Sequence, residues 1–222
     1  MIKNLVVLLT LSLFACSEEQ QEEPSNSSQE DNKAPKIHLV DSPPIYDNEN
    51  NIVAIVEIPA GSTEKWEVNK VSGEIERDSI NGAPRTIEYL GYPANYGFVP
   101  RTILPKELGG DGDPLDAIIL GAPFEKGTMV HCDIIGILKL KDRGEQDDKL
   151  ILAHAESPFC DNRYDEIEKF KEDFPGILEI VELWFVHYKG PGKMVSEGFA
   201  NKSEALKMIE ESHNQYNITH LK

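Results

Sequence analysis

Three carboxylates stand within six residues in Gly110-Asp111-Gly112-Asp113-Pro114-Leu115-Asp116. Like charges this close repel one another, so something must hold them in the ionised state. Hard divalent cations do this best, because carboxylate oxygen suits Mg²⁺, Ca²⁺ or Mn²⁺. Gly112 lets the backbone turn and Pro114 stiffens it. An acidic turn in solvent has the same composition, so the loop does not decide the matter alone. An EF-hand is excluded: a loop starting at Asp111 needs Gly at its sixth position and Glu at its twelfth. Asp116 and Ala122 stand there.

A second carboxylate group, Asp142, Glu145, Asp147 and Asp148, lies in KDRGEQDDK (Lys141–Lys149). Alone it reads as a charged hairpin tip. Paired with the first group, it can converge on one barrel rim and hold several cations. A third set comprises Lys65, Arg85, Tyr92, Tyr96, Lys149, Tyr188 and Lys189. Arg grips phosphate oxygens in a fork, Lys acts as a point charge, and Tyr donates neutral hydrogen bonds. Such groups interleaved with acids suit an anionic, oxygen-rich substrate. The histidines are scattered, with no HExxH and no Cys–His cluster, which argues against a soft-ligand zinc site.

The elements that must position these groups are short. Asn51–Pro59 reads as a strand from its β-branched content, and Lys65–Lys70 alternates as a second. Ala60-Gly61-Ser62, Ser72-Gly73 and Asn81-Gly82 are turn signals. Thr86–Leu90, Ala117–Leu120, Met129–Leu140 and Lys149–His154 are further strand candidates. The period then changes. Tyr164–Phe174 carries Ile167, Phe170 and Phe174 on one helical face, and Ile177–Tyr188 fits a helix packed on a sheet. Ser203 is the expected N-cap of a C-terminal helix bearing Ala205, Met208 and Ile209. Strands first and helices later indicate an α+β fold.

The 222 residues carry a formal charge of −17, against the basic surface that a nucleic-acid binder needs. The first residues read as a leader. Lys3 gives a positive start, Leu5–Phe14 is apolar but too short to span a bilayer, and Leu13-Phe14-Ala15-Cys16 resembles a bacterial lipobox. The expectation is a signal peptide over 1–15, followed by lipidated Cys16 and a disordered acidic tether over 16–36. The domain then occupies 37–222, anchored to a lipid bilayer outside the cytoplasm. Of the other cysteines, Cys132 reads as a buried small hydrophobe, and the spacing leaves open whether it pairs with Cys160.

The segments EIP (Glu57–Pro59), KWE (Lys65–Glu67), YPANYGFVP (Tyr92–Pro100), GGDGDPLD (Gly109–Asp116), KDRGEQDDK and HYK (His187–Lys189) resemble family I soluble inorganic pyrophosphatases. The likeness runs from about Ile52 to the C-terminus. It implies an OB-like five-stranded closed β-barrel flanked by two or three α-helices. It also implies hydrolysis of pyrophosphate with up to about four Mg²⁺ ions per active site. By the same resemblance Asp111, Asp116, Asp142, Asp147 and Glu57 are metal ligands and Asp113 is the general base. Lys65, Arg85, Tyr92, Tyr96, Lys149, Tyr188 and Lys189 contact phosphate, and Glu67 supports the site from behind. Arg77 competes with Arg85 for its place. Homo-oligomers are compatible with the resemblance. The rival reading is a membrane-anchored lipoprotein that binds divalent cations or a partner without catalysis.

Overall fold

The computed structural model describes residues 37–106, 110, 112–160 and 164–220. The leader, Cys16, the tether and Asp111 lie outside the described residues. The strands are β1 (Ile52–Ile58), β2 (Trp66–Val68), β3 (Ile75–Arg77), β4 (Ser79–Ile80), β5 (Ala83–Pro84), β6 (Asn95–Val99), β7 (Leu115–Leu120), β8 (Met129–Asp142), β9 (Glu145–Gln146), β10 (Lys149–His154) and β11 (Met194–Asn201). The helices are α1 (Ile167–Asp173), α2 (Ile177–His187) and α3 (Lys202–His220).

Five strands close a ring. β1 pairs antiparallel with β6 and β6 with β7. β7 then pairs parallel with β10, β10 antiparallel with β8, and β8 antiparallel with β1. This is the expected OB-like closed barrel, and closure leaves its five strands no free edge. β8 is long enough to serve two sheets, since its second half also pairs with β11. Along the barrel strands the side chains alternate between two packing layers, as the two-residue period demands. Ile118, Leu120, Ile151 and Ala153 pack with α1 and α2, whereas Ala117, Ile119, Leu150 and Leu152 pack in the cluster that includes Ala205 and Ile209 of α3. Cys132 is fully buried in the second cluster, as expected of a small hydrophobe.

Several local expectations are corrected. Thr86–Leu90 is no strand: Thr86 makes one isolated bridge to Glu64, and the segment then bends. Besides the two- and three-residue strands β3, β4, β5 and β9, two longer strands escaped the pattern reading. β6 is buried along its whole length, so it lacks a polar alternation, and β11 is interrupted by a bulge between Ser196 and Gly198. Ser203 does not cap α3. β11 runs straight into that helix at Lys202, leaving no linker residue to cap it. Asn201 instead turns its side chain to α1, where Oδ1 accepts the Ile167 N–H at 3.0 Å. Helix α1 therefore starts at Ile167 rather than Tyr164.

Barrel closure depends on a close approach at Gly97. A Cβ there would lie 1.8 Å from the Ile55 carbonyl oxygen on β1. Backbone cannot yield as a flexible side chain can. Gly97→Ala is therefore expected to lower the unfolding free energy by about 1–3 kcal/mol, the usual cost of overpacking. Urea titration of the variant beside the parent measures this as a lower midpoint.

Candidate active site

The parallel pairing of β7 and β10 sets Leu150 beside Ala117. The preceding residues on these strands, Lys149 and Asp116, are thereby neighbours. Both share the facing of Ile118 and Ile151, toward the side that carries α2. Lys149 Nζ donates to Asp116 Oδ2 at 2.5 Å and to Asp147 Oδ1 at 2.7 Å. Lys149 is only 4% exposed. Burial works to deprotonate its ammonium, but Asp116 and Asp147 outweigh burial and raise its pKa.

Glu57 arrives by a different device. The β1–β6 register shifts between Val56 and Ile58, and this irregularity aims Glu57 at the same place. Its Oε1 accepts the Val68 N–H of β2 at 2.6 Å, which ties the β2–β3 hairpin to the barrel. The hairpin presents Lys65 and Glu67, whose charged groups lie 3.1 Å apart. Burial raises the Glu57 pKa to about 8, against the pull of Lys65. From the far side, α2 ends at Tyr188 and Lys189. Tyr188 stacks on Trp184 with ring centroids 4.5 Å apart, and Trp184 Nε1 donates to the Leu90 carbonyl at 2.9 Å. These aromatic contacts fix the wall from which Tyr188 and Lys189 project.

Together these groups enclose an open cavity of about 490 Å³. Its lining includes Glu57, Glu67, Asp113, Asp116 and Asp147, with Lys65, Arg85, Lys149, Lys189, Tyr96 and Tyr188. Arg85 lines it, held by Asp78 at 2.9 Å, whereas Arg77 is turned to Glu64 and Thr86 and does not. Two expected site residues stand off. Tyr92 lies beneath the wall, 3% exposed, with its ring against Tyr96 and Trp184. Asp142 faces an adjoining cavity and accepts from Lys189 Nζ at 2.8 Å. Burial opposes ionisation of Asp142, but Lys189 offsets it and holds the pKa below the usual range. Asp148 of the second acidic group is structural: Oδ1 accepts the Leu140 N–H at 2.9 Å and closes the hairpin. One lining residue escaped the sequence reading. Lys70 follows β2 and pairs with Asp113, and in sequence it reads only as the last residue of the strand candidate Lys65–Lys70.

Among the described residues the lining sets five carboxyl groups, one of them on Glu57, which burial keeps protonated at neutral pH, against five cationic side chains, Lys70 included. A polyanion entering among these acids is favoured by cations that arrive with it. The donors fit hard cations, being carboxylate oxygens throughout. Among the described residues they do not form a ready cage of three, because Lys149 joins Asp116 to Asp147. The buried Asp142 Oδ1 has no hydrogen-bond partner, which leaves an acceptor open to a cation. Glu57, protonated below about pH 8, must lose its proton to bind one. Divalent-cation binding at pH 7 is therefore expected to release protons, and its affinity to rise with pH until Glu57 is ionised near 8. Calorimetry in buffers of different ionisation enthalpy counts the protons. Glu57→Gln should remove that share of them.

A family model described as inorganic pyrophosphatase matches residues 54–217. The chain is 35% identical over 176 residues to the inorganic pyrophosphatase of Campylobacter jejuni, covering 78% of this chain and 95% of that protein. It is 33% identical over 196 residues to the mitochondrial inorganic pyrophosphatase of Saccharomyces cerevisiae, covering 78% of this chain but spanning only 63% of that longer protein. The crystal structure of an N-terminally truncated vacuolar soluble pyrophosphatase of Trypanosoma cruzi in complex with PPi superposes with a TM-score of 0.71 at 30% identity. It covers 83% of this chain and 75% of that one. The barrel, the cavity at its wall and these likenesses agree: the chain belongs to the inorganic pyrophosphatase family.

Proposed function

We propose that the cavity hydrolyses inorganic pyrophosphate to two phosphates. The observation that carries this reading is the convergence of Asp113, Asp116 and Asp147 with Lys65, Arg85, Lys149, Tyr188 and Lys189 on one open cavity. Arg85, Lys65 and Lys189 take phosphoryl oxygens, and Tyr188 adds a neutral donor. Lys149 spaces Asp116 from Asp147, and Glu67 steadies Lys65. Asp113, at the exposed mouth, accepts a proton from the water that attacks phosphorus while the bridging P–O bond breaks. Cationic side chains around the leaving phosphate stabilise the charge that grows on it. Tyr92 acts from behind, by packing Tyr96 and Trp184. Asp111, Asp116, Asp142, Asp147 and Glu57 would hold Mg²⁺, up to about four ions, which would supply charge neutralisation and a more acidic water.

A phosphate-release assay with Mg²⁺ titration tests the assignment. Excess chelator should abolish activity. Asp113→Asn is expected to lower kcat by about 10²–10⁴-fold, the usual loss with a general base, with no recovery at high Mg²⁺. Asp116→Asn should shift the Mg²⁺ midpoint upward and recover in part. Full recovery of Asp113→Asn by Mg²⁺ would make Asp113 a ligand only.

For location, we infer a lipid anchor at Cys16. Support comes from the lipobox-like Leu13-Phe14-Ala15-Cys16 and the acidic, non-periodic stretch behind it. Several acyl chains on one cysteine give stable anchoring, where one gives only marginal binding. Fractionation of cells expressing Cys16→Ala should find the protein released or unprocessed. Unchanged membrane association would refute the anchor.

A further inference from the structure

We propose that Lys70 is a positioning residue, holding the Asp113 carboxylate in place at the mouth of the cavity. The two side chains come from different elements. Lys70 opens the turn between β2 and β3, and Asp113 lies in the loop that leads into β7. Lys70 Nζ pairs with Asp113 Oδ1 across the cavity wall.

The Lys70 side of this pair is firmly anchored. Around Lys70 the turn is stapled. Asn69 Oδ1 accepts the Val71 N–H at 2.9 Å and the Ser72 N–H at 3.2 Å, and the Gly73 N–H donates to the Asn69 carbonyl at 2.7 Å. The preceding Val68 N–H is bound by Glu57, and the Leu39 N–H donates to the Gly73 carbonyl at 3.0 Å. Asp113 follows Gly112 at φ +93°, and its carbonyl accepts the Leu104 N–H at 3.4 Å. The lysine thus meets the aspartate from a turn that is fixed by its own hydrogen bonds.

Energetics separate this role from a structural one. Both side chains are about half exposed, 47% and 55%. An ion pair so exposed adds little to stability, so its loss leaves the fold intact. The same small energy can still bias where the Asp113 carboxylate sits by a few-fold, and that bias is read in kcat. Lys65 and Lys189 are paired too, with Glu67 and Asp142, so Lys70 differs from them only in that its partner is the proposed base.

The inference rests on Asp113 being the general base. The test uses the full chain with Mg²⁺ and pyrophosphate. Lys70→Met and Lys70→Gln are expected to lower kcat by about 2–5-fold, the bias that an exposed ion pair can exert on its partner's position, with little change in KM or melting temperature. Lys70→Arg should restore most of the rate, since it keeps the charge on the same turn. In an Asp113→Asn background, Lys70→Met should add no further loss, because two residues acting through one step are not additive. A raised KM with intact kcat would make Lys70 a substrate-binding group and overturn the proposal, as would multiplicative losses in the double variant. If Asp113→Asn alone kept full kcat, the base assignment itself would fall. If Asp113→Asn were inactive while Lys70→Met stayed fully active, only the positioning role would fall.

Discussion

One buried ammonium organises this molecule's chemistry. Lys149 sits between Asp116 and Asp147 at hydrogen-bond distance from both. Burying an unpaired charge costs several kcal/mol, so the lysine is tolerable only because two carboxylates flank it. Those carboxylates in turn stay close to each other only because the lysine lies between them. The triad exists because β7 and β10 run parallel and in register. Parallel neighbours need a long crossover, and here β8 occupies it, returning antiparallel to both β10 and β1. A register slip of one residue would send Asp116 or Lys149 to the opposite face and take the site apart.

Around that centre the barrel and the covering elements divide the work. Barrel strands supply Glu57, Asp116 and the central lysine, and the segments that lead into β7 and β10 add Asp113 and Asp147. The β2–β3 hairpin and the end of α2 supply cations and a phenol from two opposing sides. The aromatic stack from Tyr96 through Tyr92, Trp184 and Tyr188 joins the strand side to the helix side under the floor. These four rings brace one another, which suits a reaction catalysed by positioning and electrostatics.

Much of this was legible from residue types alone, and the rest was hidden for physical reasons. Local periodicity marked β1, β8, β10 and α2, because each is long enough to show its period. β6 escaped because it is buried on every side, and β11 because its bulge breaks the alternation. The acids of Asp111–Asp116 and Asp142–Asp147 could be seen as clusters. That Lys149 would bridge Asp116 and Asp147 depends on strand pairing between distant segments, which no local pattern encodes. Glu57 is placed by an irregularity in β1 and looks in sequence like any exposed strand acid. Ser203 was chosen as a cap by type, while the structure assigns a capping role to Asn201 in favour of a different helix. Arg85 and Arg77 follow similar turn contexts, and only the course of the β4–β5 hairpin separates them.

The dual service of β8 also shapes how the chain acquires its form. Ile52 on β1 pairs with Cys132 on β8, so the barrel cannot shut until most of the domain has been made. β10 completes the ring between β8 and β7, and Tyr188 and Lys189 lie later still in the chain. Nearly every pairing that builds the catalytic wall is non-local, and non-local pairing is slow to nucleate. The growing chain consequently spends its synthesis without a working cavity, and competence appears late, when the final third docks.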